Sequence, residues 1–178
     1  SMAGNEVVYH IAATPYIPDG YSGPREMVEV IINGTLNALL AAKENGVKHF
    51  IHFSSSEVYG TSVFVPMNEQ HPTNPVSTYA VSKLAAERLV YTMGHEQNIP
   101  FTIIRQFNVI GERDTHHRIV PYIISELIKG STKIKIGNSG SCRDFTYVED
   151  VAEACYLTMN NQKAYGETIN IGTGLSWR

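Results

Sequence analysis

The sequence predicts an α/β fold in which helices cover both faces of a parallel sheet. Short β-branched or aromatic runs alternate with longer segments of helical apolar spacing, and clusters of turn residues separate them. No internal repeat or low-complexity tract interrupts this alternation. With 178 residues, of which 43% are hydrophobic and 17% charged, the chain is long enough for one such domain and too short for two ordinary ones.

The first half of the chain supplies two predicted strands and two predicted helices. Residues 7–12 are a β-branched run followed by a Pro- and Gly-rich loop, which indicates a buried strand. Residues 25–45 repeat apolar side chains at helical spacing and end at an Asn-Gly pair, which predicts a helix. A strand at residues 48–53 follows, and a polar loop with three prolines leads to a helix at residues 77–97.

The second half continues the alternation. Its predicted elements are, in order, a strand, a helix with proline in its first turn, a strand, a helix and a last strand, at residues 101–104, 119–129, 133–136, 149–159 and 168–171. In a parallel sheet of this kind, ligands bind beyond the carboxyl ends of the strands.

Charge and cysteine content exclude several classes of function. A net charge of −3 without a basic cluster predicts neither a nucleic-acid partner nor a membrane surface. Cys142 and Cys155 have no metal-ligand spacing, and the pair His116–His117 lacks further ligands at helical or hairpin spacing, so no metal site is expected. No apolar run approaches the ~18 residues of a membrane span. The sequence starts without a signal peptide, and we expect a cytoplasmic protein.

Tyr79 and Lys83 lie four residues apart in a predicted helix and therefore on the same face of it. A free phenol, with a pKa of about 10, is a poor base at neutral pH, but a nearby ammonium favours its ionised form. Ser55 follows the preceding strand and is expected to position the same substrate oxygen. This group suits removal of a proton from a sugar hydroxyl while its carbon gives a hydride to nicotinamide. Two exposed helix residues at this spacing are also common without any catalytic role, so the spacing alone leaves that structural alternative open.

Segments along nearly the whole chain carry a family resemblance. They read HIAA at 10–13, NGT at 33–35, SSSEVYG at 54–60, YAVSK at 79–83, RQFNVIG at 105–111, RDFTYVEDV at 143–151 and NIGTG at 170–174. In this order they resemble the extended short-chain dehydrogenases/reductases, in the nucleotide-sugar epimerase/dehydratase branch. The resemblance implies a Rossmann-like doubly wound parallel sheet, incomplete at the N-terminus. Residues 1–110 would form a partial NAD(P)-binding domain, and residues 111–178 part of a small C-terminal substrate lobe interleaved with the last Rossmann elements.

The resemblance also implies roles for individual residues. Tyr79 would be the base, Lys83 would lower its pKa and hold the nicotinamide ribose, and Ser55 would bind the reacting hydroxyl. The implied contacts of NAD or NADP are Ala12, Ala13, Ser54, Tyr79, Lys83 and Phe107. Asn108 and Arg143 would bind the diphosphate side of a nucleotide-sugar substrate.

Two of these assignments have structural alternatives. Arg143 has the alternative of a surface ion pair with Asp144 or Glu149. For Asn108, the alternative is a turn residue whose side chain hydrogen-bonds to its own backbone.

Ser56 and Glu57 bear on the reaction type. Dehydratases of this family use a second acid/base pair at these positions to eliminate water, whereas many simple 4-epimerases lack the glutamate. We therefore expect a 4,6-dehydratase, with a 4-epimerase, a decarboxylase of nucleotide-linked uronic acids and a non-catalytic interaction module as alternatives. Glu57 would otherwise be a solvated loop carboxylate.

The glycine-rich phosphate-binding turn that the family carries after its first strand is not found in this sequence. The segment at residues 137–140 comes nearest but lies between the wrong elements. We therefore expect two strand–helix units, ~60 residues, to be missing before residue 1, and cofactor binding by this chain alone to be weak. An uncovered central strand edge predicts a homodimer or larger assembly, through that edge or through the helices at 25–45 and 77–97.

Overall fold

A computed structural model of the chain describes residues 2–114, 118–137 and 140–178. Its centre is a parallel sheet of four strands, β1 (Val7–His10), β2 (His49–Phe53), β3 (Phe101–Gln106) and β6 (Thr168–Ile171), in the order β1-β2-β3-β6. Phe50 of β2 is paired with Val8 of β1 and with Phe101 of β3. The predicted parallel α/β fold is confirmed.

The described ranges contain six α-helices. They are α1 (Asp19–Ser22), α2 (Pro24–Val28), α3 (Gly34–Glu44), α4 (Thr78–Gln97), α5 (Ile119–Ile128) and α6 (Val148–Met159). A π-helical segment, Glu29–Asn33, joins α2 to α3, so the predicted helix at 25–45 is present but wound more widely in its middle. The other predicted helices are confirmed to within a few residues at each end, while α1 was not predicted.

The hydrophobic core forms two layers, one on each face of the sheet, because helices cover both faces. On one side Phe50 and Phe101 pack against Leu39 of α3 and Val90 of α4. On the other side the sheet packs against Val151 and Cys155 of α6, through Ile51, Ile104 and Ile171. All five residues of β2 are buried, as expected for the inner strand of a doubly wound sheet.

A second, small sheet was not predicted. Its two parallel strands are β4 (Asn108–Ile110) and β5 (Phe145–Tyr147), with Asn108 opposite Phe145. The predicted strand at residues 133–136 is wrong, since the chain there has no regular structure and is mostly exposed. The alternation of Lys and Ile suits a strand, but these residues pair with no neighbouring strand, and a ladder of hydrogen bonds needs two.

Two segments discussed in the sequence analysis include residues that the structure does not describe. His116–His117, and the middle of the 137–140 segment, lie outside the described residues. In the parts of the chain that are described, no helix is both long enough and apolar enough to cross a membrane.

Candidate active site

The chain turns sharply where β2 ends, and this turn carries three of the predicted site residues. Ser55 is extended, and its hydroxyl and carbonyl accept the N–H groups of Glu57 and Val58, both at 3.2 Å. A 3₁₀ turn, Ser56–Tyr59, follows. Gly60 ends it at φ 67°, where an added Cβ would lie 2.0 Å from the carbonyl oxygen of Asn74. Close packing at Gly60 and the Ser55 cap thus fix the turn in one conformation.

Helix α4 brings Tyr79 and Lys83 to this turn. The side chain of Ser77 caps the helix by accepting the N–H of Ala80 at 3.1 Å, which places Tyr79 in the first turn. One turn later, Lys83 Nζ donates a 2.8 Å hydrogen bond to the carbonyl oxygen of Phe53, the last residue of β2. Lys83 Nζ also lies 5.9 Å from the centre of the Tyr79 ring. The structure therefore brings together the Ser55, Tyr79 and Lys83 predicted from the sequence.

The pKa of Tyr79 differs in direction from the sequence-based expectation. Burial raises the pKa of Tyr79 above its ordinary value of 10.0; hydrogen bonding with Ser55 opposes the rise, and the carboxylate of Glu57 adds to it. Lys83 was expected to lower this pKa. The desolvation of a phenol that is only 7% exposed is instead the largest influence on its pKa, and the cation that acts to lower this pKa is Arg118.

The pKa of Lys83 is also shifted by its surroundings. Burial lowers the pKa of the ammonium to about 8, although the carboxylate of Glu87 acts against the decrease. The ammonium is therefore mostly charged at neutral pH and begins to lose its proton in the weakly alkaline range.

Two adjoining clefts open at the carboxyl ends of the strands. The first, of about 360 Å³, is lined by Ser55, Glu57 and Tyr79 among others. The second, of about 880 Å³, is lined by Ser56 and reaches the loop after β6. Four residues belong to the walls of both clefts: Glu57, Phe107, Asn108 and Arg143. The walls of the two clefts, which together form a groove, thus contain the predicted Ser55, Ser56, Glu57, Tyr79, Asn108 and Arg143, while Lys83 is buried behind Tyr79.

Asn108 and Arg143 do not adopt the structural alternatives considered for them. Asn108 is a strand residue, and its N–H donates to the carbonyl oxygen of Asp144 at 3.1 Å. Arg143 is exposed, and the ion pairs found among the described residues do not include it. The Asp144 carboxylate instead accepts the N–H groups of Thr173 and Gly174, at 3.0 and 2.8 Å. The Arg143 guanidinium, which donates at 2.8 Å to the Cys142 carbonyl, keeps other donors for a ligand.

The residues predicted to contact the cofactor differ in burial and in their position relative to the groove. Ala12 is exposed in the loop after β1, whereas Ala13 packs against the cluster that contains Tyr79. Phe107 lies in the groove wall, with its N–H bonded to the carbonyl oxygen of Ile171 at 2.9 Å. Ser54 is fully buried, and its hydroxyl donates to Glu87 rather than pointing into the groove. The cofactor contacts of these residues remain predictions.

The donor set present fits the nicotinamide–ribose half of NAD or NADP. An ammonium has three N–H donors, and Lys83 gives one to Phe53, so the others can meet ribose hydroxyls. Ala13, a small side chain, packs against the cluster that contains Tyr79. The described residues include no group of three or more potential metal ligands.

Sequence reasoning missed a buried ion pair directly behind the site. Arg105 donates to Glu87 through Nε at 2.9 Å and Nη2 at 2.7 Å. A signal for Glu87 existed, because Tyr79, Lys83 and Glu87 follow one another at four-residue spacing. Arg105, the one charged residue of strand β3, was a second signal.

Comparison with known proteins agrees with this geometry. The model of the NAD dependent epimerase/dehydratase family matches residues 1–172. The chain belongs to this family. The resemblance to extended short-chain dehydrogenases/reductases is thereby confirmed, together with the Rossmann fold.

Individual members of the family match over most of this chain. The dTDP-D-glucose 4,6-dehydratase of Mus musculus is 36% identical over 169 residues, which cover 94% of this chain and 47% of the mouse protein. The UDP-glucose 4-epimerase of Mycolicibacterium smegmatis is 30% identical over 174 residues, covering 96% and 55% of the two chains. The chain thus spans about half the length of these relatives.

A solved structure of the family gives the same fold. The UDP-glucuronic acid 4-epimerase from Bacillus cereus, in complex with UDP-glucuronic acid and NAD, has a TM-score of 0.89 and 30% identity. The match covers 97% of this chain and 55% of the Bacillus chain. Family members with this fold therefore include one that holds both a dinucleotide and a nucleotide sugar.

Proposed function

We propose that this chain carries the reaction centre of an NAD(P)-dependent nucleotide-sugar 4,6-dehydratase, which oxidises the sugar at C4. The observation that carries the proposal is that Ser55, Glu57 and Tyr79 line one cleft while Lys83 lies directly behind the phenol. Membership of the epimerase/dehydratase family supports the cofactor and the substrate class.

The oxidation step uses Tyr79 and Ser55. Ser55 binds the reacting hydroxyl and stabilises the phenolate form of Tyr79 by hydrogen bonding. Tyr79 receives the hydroxyl proton, and the sugar carbon becomes a carbonyl. A nicotinamide ring, when bound, supplies the acceptor for the hydride that leaves that carbon. Lys83, fixed by the Phe53 carbonyl, holds the ribose and contributes positive charge beside the phenol.

The elimination step uses Glu57. A proton next to the new carbonyl is acidic, and a carboxylate in the same cleft is placed to remove it. Ser56, the other member of the acid/base pair, gives a proton to the hydroxyl on C6, which leaves as water. The hydride taken from C4 would then return to C6 while Glu57 returns the proton to C5, which gives the 4-keto-6-deoxy sugar and restores the oxidised cofactor. Glu57 is half-buried and lines both clefts, which favours this role over that of a solvated loop carboxylate.

The substrate is proposed to lie along the groove formed by the two clefts. The sugar lies at Ser55 and Tyr79, and the diphosphate lies toward Asn108 and Arg143. A guanidinium binds a diphosphate well, because its fork donates two parallel charge-assisted hydrogen bonds. The relatives named for dTDP-glucose and UDP-glucose support a nucleoside-diphosphate sugar as substrate.

A 4-epimerase is the second candidate. It is favoured by the similarity to a UDP-glucose 4-epimerase and by the UDP-glucuronic acid 4-epimerase structure. An epimerase would use Ser55, Tyr79 and Lys83 in the same way and would have no need of Glu57.

The two candidates differ in the effect of Glu57→Gln. The native protein that contains this chain is incubated with NAD or NADP and with UDP-, dTDP- and GDP-hexoses, and the products are separated by chromatography. We expect the unsubstituted protein to form a 4-keto-6-deoxy sugar and Glu57→Gln to form it at least about 100-fold more slowly, the effect of losing a general base. Glu112→Gln, at an exposed carboxylate bonded to Tyr147, is the matched control and should keep full activity.

Two results would contradict the proposal. Formation of the 4-epimer alone, equally in both proteins, would assign the epimerase function. Failure of the unsubstituted protein to convert any of these sugars would reject both candidates.

A further inference from the structure

The Glu87–Arg105 pair is the most deeply buried ion pair among the described residues. The side chains of Arg105 and Glu87 are 9% and 3% exposed, and two parallel hydrogen bonds join them. Arg105 stays charged: burial alone lowers the pKa of its guanidinium, but the bonds to Glu87 raise this pKa well above its ordinary range. Removing two charges from water is costly unless further hydrogen bonds satisfy both groups, so their other partners are informative.

These further partners connect the pair with several elements around the site. The Ser54 hydroxyl donates to Glu87. Arg105 Nη1 donates to the Tyr59 hydroxyl at 3.1 Å and to the Glu69 carbonyl at 3.3 Å. The guanidinium also lies over the Tyr59 ring, 4.9 Å from its centre.

The network continues from Tyr59 to the last strand. The Tyr59 hydroxyl donates to the Asn170 side-chain carbonyl of β6 at 2.7 Å. Asn170 in turn donates from its side chain to the Met67 carbonyl at 3.1 Å and from its N–H to the Glu69 carboxylate at 2.8 Å. The end of β2, the 3₁₀ turn, α4, β3 and β6 are thus joined through one set of polar contacts.

The members of this network adjoin the site in sequence without lining the first cleft. Ser54 precedes Ser55, and Tyr59 ends the turn that carries Ser56 and Glu57. Glu87 follows Lys83 by one helical turn. None of Ser54, Tyr59, Glu87 and Arg105 is among the residues that line either cleft. Any effect on chemistry must therefore pass through the neighbouring residues.

We propose that the Glu87–Arg105 pair and the Tyr59 hydroxyl form a positioning device that fixes Ser55 and Glu57 relative to Tyr79. Tyr59 is its link to the turn, because its hydroxyl bridges Arg105 and Asn170. The inference rests on the proposed function, which gives Ser55 and Glu57 a substrate to orient. Its structural consequence, a turn held in place by Tyr59, is measurable without turnover.

The first test measures the turn itself in the 178-residue chain. Tyr59→Phe keeps the ring and removes the hydroxyl that bridges Arg105 and Asn170. Hydrogen exchange is followed at the amides of Glu57, Val58 and Gly60, which donate within the turn. We expect about tenfold faster exchange at these amides, the change that the loss of one hydrogen bond produces.

Thr102→Val is the matched control. Thr102 is also buried in the polar interior of β3, where its hydroxyl bonds to His49 at 2.9 Å and to the Ala164 carbonyl at 2.6 Å. It lies at the opposite end of the strand from Arg105. Thr102→Val should lower the melting temperature without accelerating exchange in the turn, whereas Tyr59→Phe should accelerate it.

The second test measures catalysis in the native protein with NAD(P) and its nucleotide sugar. Tyr59→Phe should lower kcat about tenfold and leave KM unchanged, because the groups that act in the transition state are displaced while those that bind the diphosphate are not. Thr102→Val should retain kcat. Unchanged exchange in the turn, or an unchanged kcat, in Tyr59→Phe would overturn the inference. An unsubstituted protein that converts no nucleotide sugar would reject the proposed function, and the exchange measurement would still decide the inference.

Discussion

Lys83 combines a proposed role in catalysis with an unfavourable electrostatic environment. Its ammonium is buried, with the Phe53 carbonyl as its hydrogen-bond acceptor and the Glu87 carboxylate nearby. Burial lowers the pKa of Lys83 from 10.5 to about 8, so keeping the charge at neutral pH costs folding free energy. The site therefore contains a destabilising charge that its proposed chemistry needs.

The stability of the chain should consequently rise with pH through the Lys83 contribution. Between the native pKa of about 8 and the unfolded value of 10.5, the unfolded chain binds a proton that the native state has released. The free energy of unfolding should then increase by about 1 kcal/mol between about pH 7 and about pH 9. Urea unfolding at the two pH values measures this, and Lys83→Met should lose the increase.

Lys48→Met is the control, because Lys48 is exposed and paired only at the surface with Glu6. It should retain the increase of the unsubstituted chain. An equal pH dependence in Lys83→Met and the unsubstituted chain would show that the buried ammonium is not its source.

At the residue scale, the proposed reacting groups could be named from the sequence, but their energetics could not. Tyr79 and Lys83 are predicted from their four-residue spacing together with the family resemblance of the segments around them. The rise in the pKa of Tyr79 depends on its burial against Met27 and Ile31, which lie about 50 positions earlier and show no local relation to it in the sequence.

Helix α4 is the element that organises the site. Its first turns carry Tyr79, Lys83 and Glu87 toward the ends of β2 and β3, and its last turns pack on the start of β3. The helix ends at Asn98, in the left-handed conformation at φ 53°. Gly94 allows the close approach near this end, since an added Cβ would lie 2.2 Å from an atom of the Phe101 ring.

Gly94→Ala should therefore destabilise the chain despite the higher helix propensity of alanine. Overpacking of this kind costs about 1–3 kcal/mol, more than the propensity gain. Gly34→Ala is the matched control in α3, where the backbone is helical and an added Cβ meets nothing within 4 Å. It should stabilise the chain by about 0.5–1 kcal/mol.

Chemical denaturation of the two variants beside the unsubstituted chain measures both effects. Stabilisation by Gly94→Ala would contradict the close packing of α4 on β3.

At the element scale, local patterns predicted the four strands of the main sheet and the helices that cover it. They failed for residues 133–136, because an alternating pattern does not supply a partner strand. They also missed β4 and β5, since strands of three residues carry almost no periodicity. The bond between Tyr59 and Asn170 joins residues 111 positions apart, which only the tertiary fold reveals.

At the scale of the whole molecule, the site forms where two sheets meet. The carboxyl ends of β2 and β3 supply Ser55 and Phe107, and the small β4–β5 sheet supplies Asn108 and lies next to Arg143. The Asp144 carboxylate fixes the loop after β6 against this sheet. The division into domains at residue 110, the cytoplasmic location and the homodimer expected from the sequence remain predictions.

Proton removal by Tyr79 coupled to hydride transfer is the central claim, and its most direct test is the reduction of the cofactor. The native protein with NAD or NADP is mixed rapidly with its nucleotide sugar, and the near-ultraviolet absorbance of reduced nicotinamide is recorded. The unsubstituted protein and Tyr91→Phe, a control at a partly exposed tyrosine of the same helix, should show rapid reduction. Tyr79→Phe should slow it at least about 100-fold, the loss expected for a general base. Equal rates of reduction in Tyr79→Phe and the unsubstituted protein would contradict the assignment of Tyr79 as the base.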